Sequence, residues 1–435
     1  MITPIFDFVK KYAESDASRL HMPGHKGRAV LGCEAYDITE ISGADVLYSA
    51  NGIISESENN LSSLYGTAHS FYSTQGSTLA IYAMLYLATR GVERPLILAA
   101  RNVHSAFIKA AALVDFDVEF IYPERESHLC ECKITADMLR ERLSDMENIP
   151  CAVYVTSPDY LGNMLDISAL SAVCREFGLP LLVDNAHGAY LKFLENDIHP
   201  ITLGAAMCSD SAHKTLPVLT GGAYLHISKE YDRYVDGARR AMSLFASTSP
   251  SYLTLCSLDL CNARLCEGYA DEISATAKRI DEIKSEIADA GLPVCSSEAL
   301  KITVAVGADL ADHLRVGGIE VEFSDNDYTV LMLTPQNEEW EYRRLLSVIS
   351  SYKSAGARGD KVFSVKPHKT NMTIREASFA DCEDVPVENA VGRICASPTV
   401  SCPPAVPIVI SGEVIENDDI AVFRHYGIEK ISVVK

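Results

Sequence analysis

The stretch "LGAAMC" (203–208) runs directly into "SDSAHKTL" (209–216), and the reading of that junction decides the fold. Small apolar residues suited to a buried strand give way at once to Ser211, His213, Lys214 and Thr215. An ammonium beside buried apolar chain is expensive to keep charged, so a lysine at this position predicts a chemical use. The setting is a strand exit. In an open parallel sheet, ligands bind beyond the carboxyl ends of the strands.

Working outward, short β-rich runs recur at "PLILAA" (95–100), "DVEFIY" (117–122), "CAVYVTS" (151–157), "LPLLVD" (179–184), "AAMCSD" (205–210) and "GAYLHIS" (222–228). Helical patterns lie between them. In "LDISALSAVCREFG", Asp166 predicts a cap, Ile167, Leu170, Val173 and Phe177 an apolar stripe, and Gly178 the stop. Apolar strands alternating with amphipathic helices predict an α/β fold built on a mostly parallel sheet. A helical region follows at about 250–292, and then "KITVAVG", "GIEVEFS" and "YTVLMLT" predict a smaller α+β part. The domain reading is an N-terminal arm and active-site loop at 1–60, a major domain at 61–290 and a C-terminal domain at 291–435. "SAGARGDK" (354–361) reads as a linker within the last.

Composition bounds the function. With 48% hydrophobic and 22% charged residues the chain reads as globular. It has no apolar run long enough for a membrane span, and the charged start "MITPIFDFVKKYAESD" does not suit a signal peptide. A net charge of −21 disfavours nucleic acid and anionic membranes as partners. The thirteen cysteines are scattered and odd in number, which fits reduced thiols in the cytoplasm. Cys130 and Cys132 have no second pair at zinc spacing, and Pro23-Gly24 breaks the helix that His21 and His25 would need to share a metal. No metal is expected.

The other strand exits add to Lys214. "LPLLVD" ends in Asp184, "PLILAA" leads to His104, and Gly76, Ser77 and Thr78 open the long apolar helix in "YSTQGSTLAIYAMLYLATRG". Free N–H groups and hydroxyls at a helix start suit a phosphate. Each residue alone has a plain alternative as a cap, a loop contact or a surface lysine. Taken jointly they match what pyridoxal phosphate needs: a lysine to bind its aldehyde, a carboxylate to keep its ring nitrogen protonated, and a phosphate cradle.

With these residues in view, the chain resembles the Orn/Lys/Arg decarboxylase family of pyridoxal-phosphate enzymes, of the aspartate-aminotransferase fold and short bacterial type. The landmarks are "LHMPGHKG" (20–27), "YSTQGSTLA" (72–80), "RNVHSA" (101–106), "LLVDNAHGAY" (181–190) and "SDSAHKTL" (209–216). "STSPSYLTLCSLDLC" (247–261) and "CPPAVPIVISGE" (402–413) extend the likeness. The resemblance implies a seven-stranded type of sheet and decarboxylation of arginine, lysine or ornithine to an amine. It implies Lys214 as the Schiff-base lysine, Asp184 as the ring-nitrogen partner, and His104 and Ala186 on opposite ring faces. Gly76, Ser77, Thr78, Ser211 and His213 fall in the phosphate shell, with His187 beside the cofactor. It further implies a homodimer or an assembly of dimers, with "PGHK" and the Thr220-Gly221-Gly222 segment reaching across the interface, and no receiver-like N-terminal domain.

Two positions depart from the family pattern: Asn185 where the family often has glutamate, and Asp159 where it often has threonine. The distal cation of the substrate calls for a carboxylate; Asp45 is the first candidate and Glu413 the second. Transamination or aldol-type cleavage on the same fold, and a non-catalytic relative that only binds the cofactor, are the alternatives.

Overall fold

The computed structural model describes residues 1–125, 127–353, 365–398 and 404–435, so the linker reading at 354–361 lies outside the described residues. Its main sheet is seven-stranded and mostly parallel, formed by β1 (His69–Ser73), β2 (Leu96–Ala100), β3 (Asp117–Ile121), β4 (Ala152–Thr156), β5 (Leu181–Asp184), β6 (Met207–Asp210) and β7 (Ala223–Ile227). The six runs read from the sequence all became strands, trimmed by one or two residues. β1 is the addition.

The chain divides into two compact units that interleave along it, 1–90 with 180–274, and 91–179 with 275–435. In the first, the strand order is β1-β7-β6-β5. β5 and β6 are parallel, while β7 is antiparallel to both β6 and β1. Two reversals restore direction, so β1, β5 and β6 all run the same way. Their last residues, Ser73, Asp184 and Asp210, therefore leave the sheet at one edge. The helix Gly76–Thr89 packs on β6 and β7, and it is apolar almost all round, as a helix covered on every side must be. The helices Tyr252–Cys266 and Tyr269–Asp289 account for the expected helical stretch, broken at Gly268, whose φ of +83° suits glycine.

In the second unit the order is β4-β2-β3, all parallel. The helix Ile167–Glu176 has the predicted cap: the Asp166 side chain accepts from Ala169 N–H at 2.9 Å. Ile167, Leu170 and Val173 are buried, and Phe177 only half so. An antiparallel sheet of β8 (Val294–Cys295), β9 (Lys301–Val304), β10 (Phe323–Ser324) and β11 (Thr329–Met332) follows. A final ribbon pairs β12 (Cys382–Pro386) with β13 (Lys430–Val434). These are the strands of the expected α+β part. No disulfide forms among the described cysteines, and no described helix is long and apolar enough to cross a membrane.

Candidate active site

The shared edge of β1, β5 and β6 collects most of the residues singled out in the sequence. Beyond β6, Ser211 starts the single turn Ala212–Thr215, which presents His213 and Lys214 half-buried. His213 is clamped: its backbone N–H and its Nδ1 both donate to the Gly222 carbonyl, at 3.1 and 2.9 Å. Lys214 Nζ lies 3.0 Å from His187 Nε2. Beyond β5, Asp184 is buried and accepts from Ala186 N–H at 3.2 Å. Ala186 is half-exposed between buried Asn185 and His187.

Beyond β1 the chain turns through Gly76, whose φ of +69° a side chain would strain. The Gly76 N–H is held by the Gly221 carbonyl at 2.7 Å, and the Ser211 hydroxyl donates to Ser77 Oγ at 2.8 Å. Ser77 and Thr78 sit in the first turn of a helix, where N–H groups have no intrahelical partner. The phosphate shell read from the sequence, Gly76, Ser77, Thr78, Ser211 and His213, is thus gathered from two strand exits. Gly221 and Gly222 were placed in the sequence only by resemblance, as an interface segment. Within their own chain they hold both the helix start and the lysine turn. A Cβ at Gly222 would come within 2.3 Å of Val218 Cγ1. Their signal was the glycine pair itself, directly before β7.

The donor set fits pyridoxal phosphate. One lysine, one buried carboxylate at a neighbouring strand exit, two hydroxyls and a helix N-terminus are present on one edge.

His104, in the second unit, caps the helix Ser105–Val114, its Nδ1 accepting from Ala106 N–H at 3.1 Å. The Ser105 N–H bonds the Ala405 carbonyl at 2.8 Å, and the Arg101 guanidinium donates to the carbonyls of Pro407 and Ile408. These ties bind the His104 turn to the segment that leads to Glu413. Glu413 is buried and accepts from Ile410 N–H at 2.8 Å, with His368 Nδ1 3.6 Å from the same oxygen.

Asp45 has a structural task. Its two oxygens accept from four backbone N–H groups, those of Val46, Asn51, Gly52 and Ile54, at 2.8–3.2 Å. Burial alone would raise its pKa, yet these donors hold it below the usual carboxylate value. It fastens the entry to the helix Ile53–Tyr65.

The two departures from the family pattern each have buried partners. Asn185 Nδ2 donates to Asp210 Oδ1 at 2.7 Å. Asp159 accepts from Leu161 N–H, Asn163 N–H and Asn163 Nδ2, each at 2.9 Å. Burial nevertheless pushes Asp159 up to about 6. In the HMPGHK segment, His21 meets Tyr12 and His25 meets Asp37, so the two imidazoles face different partners.

The model of the family described as Orn/Lys/Arg decarboxylase, major domain, matches residues 3–303, and that of its C-terminal domain matches residues 357–428. An arginine decarboxylase of Bacillus subtilis (strain 168) is 28% identical, aligned over 96% of this chain and 92% of its own. An arginine decarboxylase of Halalkalibacterium halodurans is also 28% identical, over 97% and 93%. Among solved structures, the lysine decarboxylase of Francisella novicida superposes with a TM-score of 0.83 at 16% identity, covering 100% of this chain and 81% of that one. At that identity the likeness speaks for the fold alone.

Proposed function

The chain belongs to the Orn/Lys/Arg decarboxylase family, and from that premise we propose that it removes the α-carboxyl group of a basic amino acid using pyridoxal phosphate held through Lys214. The observation that carries the assignment is the convergence of Lys214, Asp184, Ser77 and Ser211 on one sheet edge. Bound there, the cofactor would supply an aldehyde for amines and a ring able to take up the electron pair left by departing carbon dioxide.

Lys214 Nζ would hold the cofactor's aldehyde, with His187 Nε2, 3.0 Å away, positioning the amine. Asp184, kept from water, would sit at the ring nitrogen and favour its protonated form. Ser77, Thr78, Ser211 and His213 would hold the phosphate with the helix N-terminus, where Gly76 lets the backbone turn. From the family resemblance, Ala186 and His104 would flank the ring. The relatives named arginine decarboxylase put arginine first among the substrates to assay. For the distal cation we favour Glu413 over Asp45, because four N–H groups already occupy the Asp45 carboxylate. The active form is proposed as a cytoplasmic homodimer or an assembly of dimers.

The test is direct. Borohydride reduction of the purified protein with pyridoxal phosphate should fix the cofactor to Lys214, and arginine, lysine or ornithine should release carbon dioxide and an amine. Lys214→Ala should lose the adduct and all measurable turnover. Asp184→Ala should bind the cofactor yet lose more than about 100-fold in kcat, some 2.7 kcal/mol in the barrier. A labelled Lys214→Ala protein, or release of a keto acid in place of carbon dioxide, removes the assignment.

A further inference from the structure

Directly behind the lysine edge lies a polar cluster that this chemistry does not use. Asn185, His199, Asp210 and His226 are all fully buried. Asp210 Oδ1 receives the Asn185 amide at 2.7 Å. Its Oδ2 lies 3.0 Å from His199 Nε2 and 3.3 Å from His226 Nε2. Tyr65 covers the pair, stacked on His226 with centroids 4.3 Å apart and edge-on to His199 at 5.0 Å.

Cys208 Sγ comes within 3.9 Å of His199 Nε2, so His199, Cys208 and Asp210 stand close enough to hold a metal ion. The proton pattern favours hydrogen bonds. The Ile201 N–H points at His199 Nδ1 at 3.4 Å, which makes Nδ1 the acceptor and leaves the proton on Nε2, facing Asp210. The Ser70 hydroxyl lies 2.7 Å from His226 Nδ1 and supplies the matching arrangement on the second ring. Asp210 is then a carboxylate with hydrogen bonds from Asn185 and His199 and the His226 ring beside it, a form in which a buried charge is tolerable.

The sequence positions of its members give the cluster its meaning. Asn185 directly follows Asp184, and Asp210 directly precedes Ser211 in the lysine turn. Ties between the exits of β5 and β6 include Asn185 N–H to the Ser209 carbonyl at 2.9 Å, Asn185 to Asp210, and Lys214 to His187. The last is given up whenever Lys214 Nζ carries another group. The Asn185–Asp210 bond remains as a side-chain tie that this does not touch. A Cβ at Gly188 would fall 2.0 Å from Asn185 Oδ1, so glycine at 188 leaves the amide its place.

We propose that Asp210 and Asn185 form a matched pair of positioning residues that fixes the β5 exit, with Asp184, against the β6 exit, with Ser211 and Lys214. Asn185 replaces the glutamate frequent in the family because an acid there would set a second carboxylate against Asp210. The pair rests on the proposed decarboxylase reading, and its test begins with the wild-type protein.

The wild type is assayed first for borohydride-fixed cofactor and for carbon dioxide release. Failure there removes the functional reading and not the pairing. With an active wild type, Asp210→Asn should keep its bound cofactor and hold KM within about twofold, while kcat falls at least tenfold. The pH midpoint of its visible absorbance should move by at least about half a unit, because Asp184 and Lys214 no longer hold their mutual position. Asn185→Asp should lose more, and the exchange Asn185→Asp with Asp210→Asn should recover at least tenfold of that loss by restoring one donor and one acceptor. If Asp210→Asn does not fold, His199→Leu, which removes one donor and keeps Asp210, should show the same absorbance shift. An unchanged midpoint and kcat in the single variants, no recovery in the exchange, or stoichiometric zinc in the purified protein would overturn the proposal.

Discussion

Asp210 and Asp159 are both buried carboxylates at or beside a departure from the family pattern, and their acidities move in opposite directions. Burial disfavours the charge at both. At Asp210 the close imidazoles of His199 and His226 more than offset burial, and its pKa lies well below the usual range. At Asp159 the amide hydrogen bonds and buried Lys301 do not offset it, and the carboxyl is pushed up to about 6. The lesson is that burial alone does not decide the state of a group. What decides it is how strongly the neighbours that reach the carboxylate favour its charged form.

The largest effect that could break this contrast lies at Lys301. Its side chain is fully buried, with Nζ donating to the carbonyls of Asp159 and Tyr160 at 3.2 and 3.3 Å and lying 3.5 Å from Glu298 Oε1. Lys301→Met fits the volume but removes the fully buried cation from between Glu298 and Asp159. A destabilisation of about 3–5 kcal/mol is expected, the usual result of removing one partner from a buried ionic group. Chemical denaturation at neutral pH measures it. A change below about 1 kcal/mol would mean that water reaches the site and that Asp159 is not isolated by burial.

A smaller and more pointed effect concerns pH. A carboxyl whose folded pKa is raised from 3.8 to about 6 contributes stability that is complete below about 4 and lost as pH rises through about 6. Asp159→Asn removes that titration while keeping an acceptor for the N–H groups of Leu161 and Asn163. Compared with the variant, the wild type should therefore lose ground between pH 4 and pH 7. Asp210 has the opposite sign. Its contribution is complete above the ordinary carboxylate value and declines only as pH falls well into the acid range. Melting curves across this window, read as the difference between Asp159→Asn and wild type, check the sign. A difference that is flat with pH would place Asp159 with the ordinary surface acids.

How much of this was legible beforehand follows from what each feature is made of. The strands β2 to β7 could be read because each is a short apolar run bounded by turn residues. β1, "HSFYS", could not, because only two of its five residues are apolar and its place is set by pairing with β7. Lys214, Asp184 and Ser77 were visible because each stands at the end of a periodic segment, where a polar residue is conspicuous. The Asp210 cluster was not. Asp210 is two residues from Cys208 and so shares its face of β6, and Cys208 pairs with His226 across β7. That register belongs to the sheet, and His199 comes from a loop whose path no local pattern specifies.

Asp45 completes the comparison as a third carboxylate, held by uncharged backbone donors, and it carries the smallest expected effect. The sequence alone favoured it for the substrate's distal cation, on the strength of its apolar neighbours Ala44 and Val46. Those neighbours instead flank a turn in which Asp45 itself adopts a φ of +73°, a conformation that aspartate tolerates better than most residues. Asp45→Asn keeps one acceptor and loses the charge that faces four N–H groups, so a loss of about 1 kcal/mol is expected, as for other capping residues. Kinetics separates this task from a role in binding. If Asp45 only fastens the helix entry, kcat/KM should fall by the same small factor on arginine, lysine and ornithine, with cofactor affinity unchanged. Glu413→Gln, in contrast, should concentrate its loss on the best cationic substrate, by about 1.5–3 kcal/mol for a charge-assisted hydrogen bond. The reverse pattern, selective loss at Asp45 and uniform loss at Glu413, would return the distal contact to Asp45 and show that its carboxylate exchanges backbone donors for substrate.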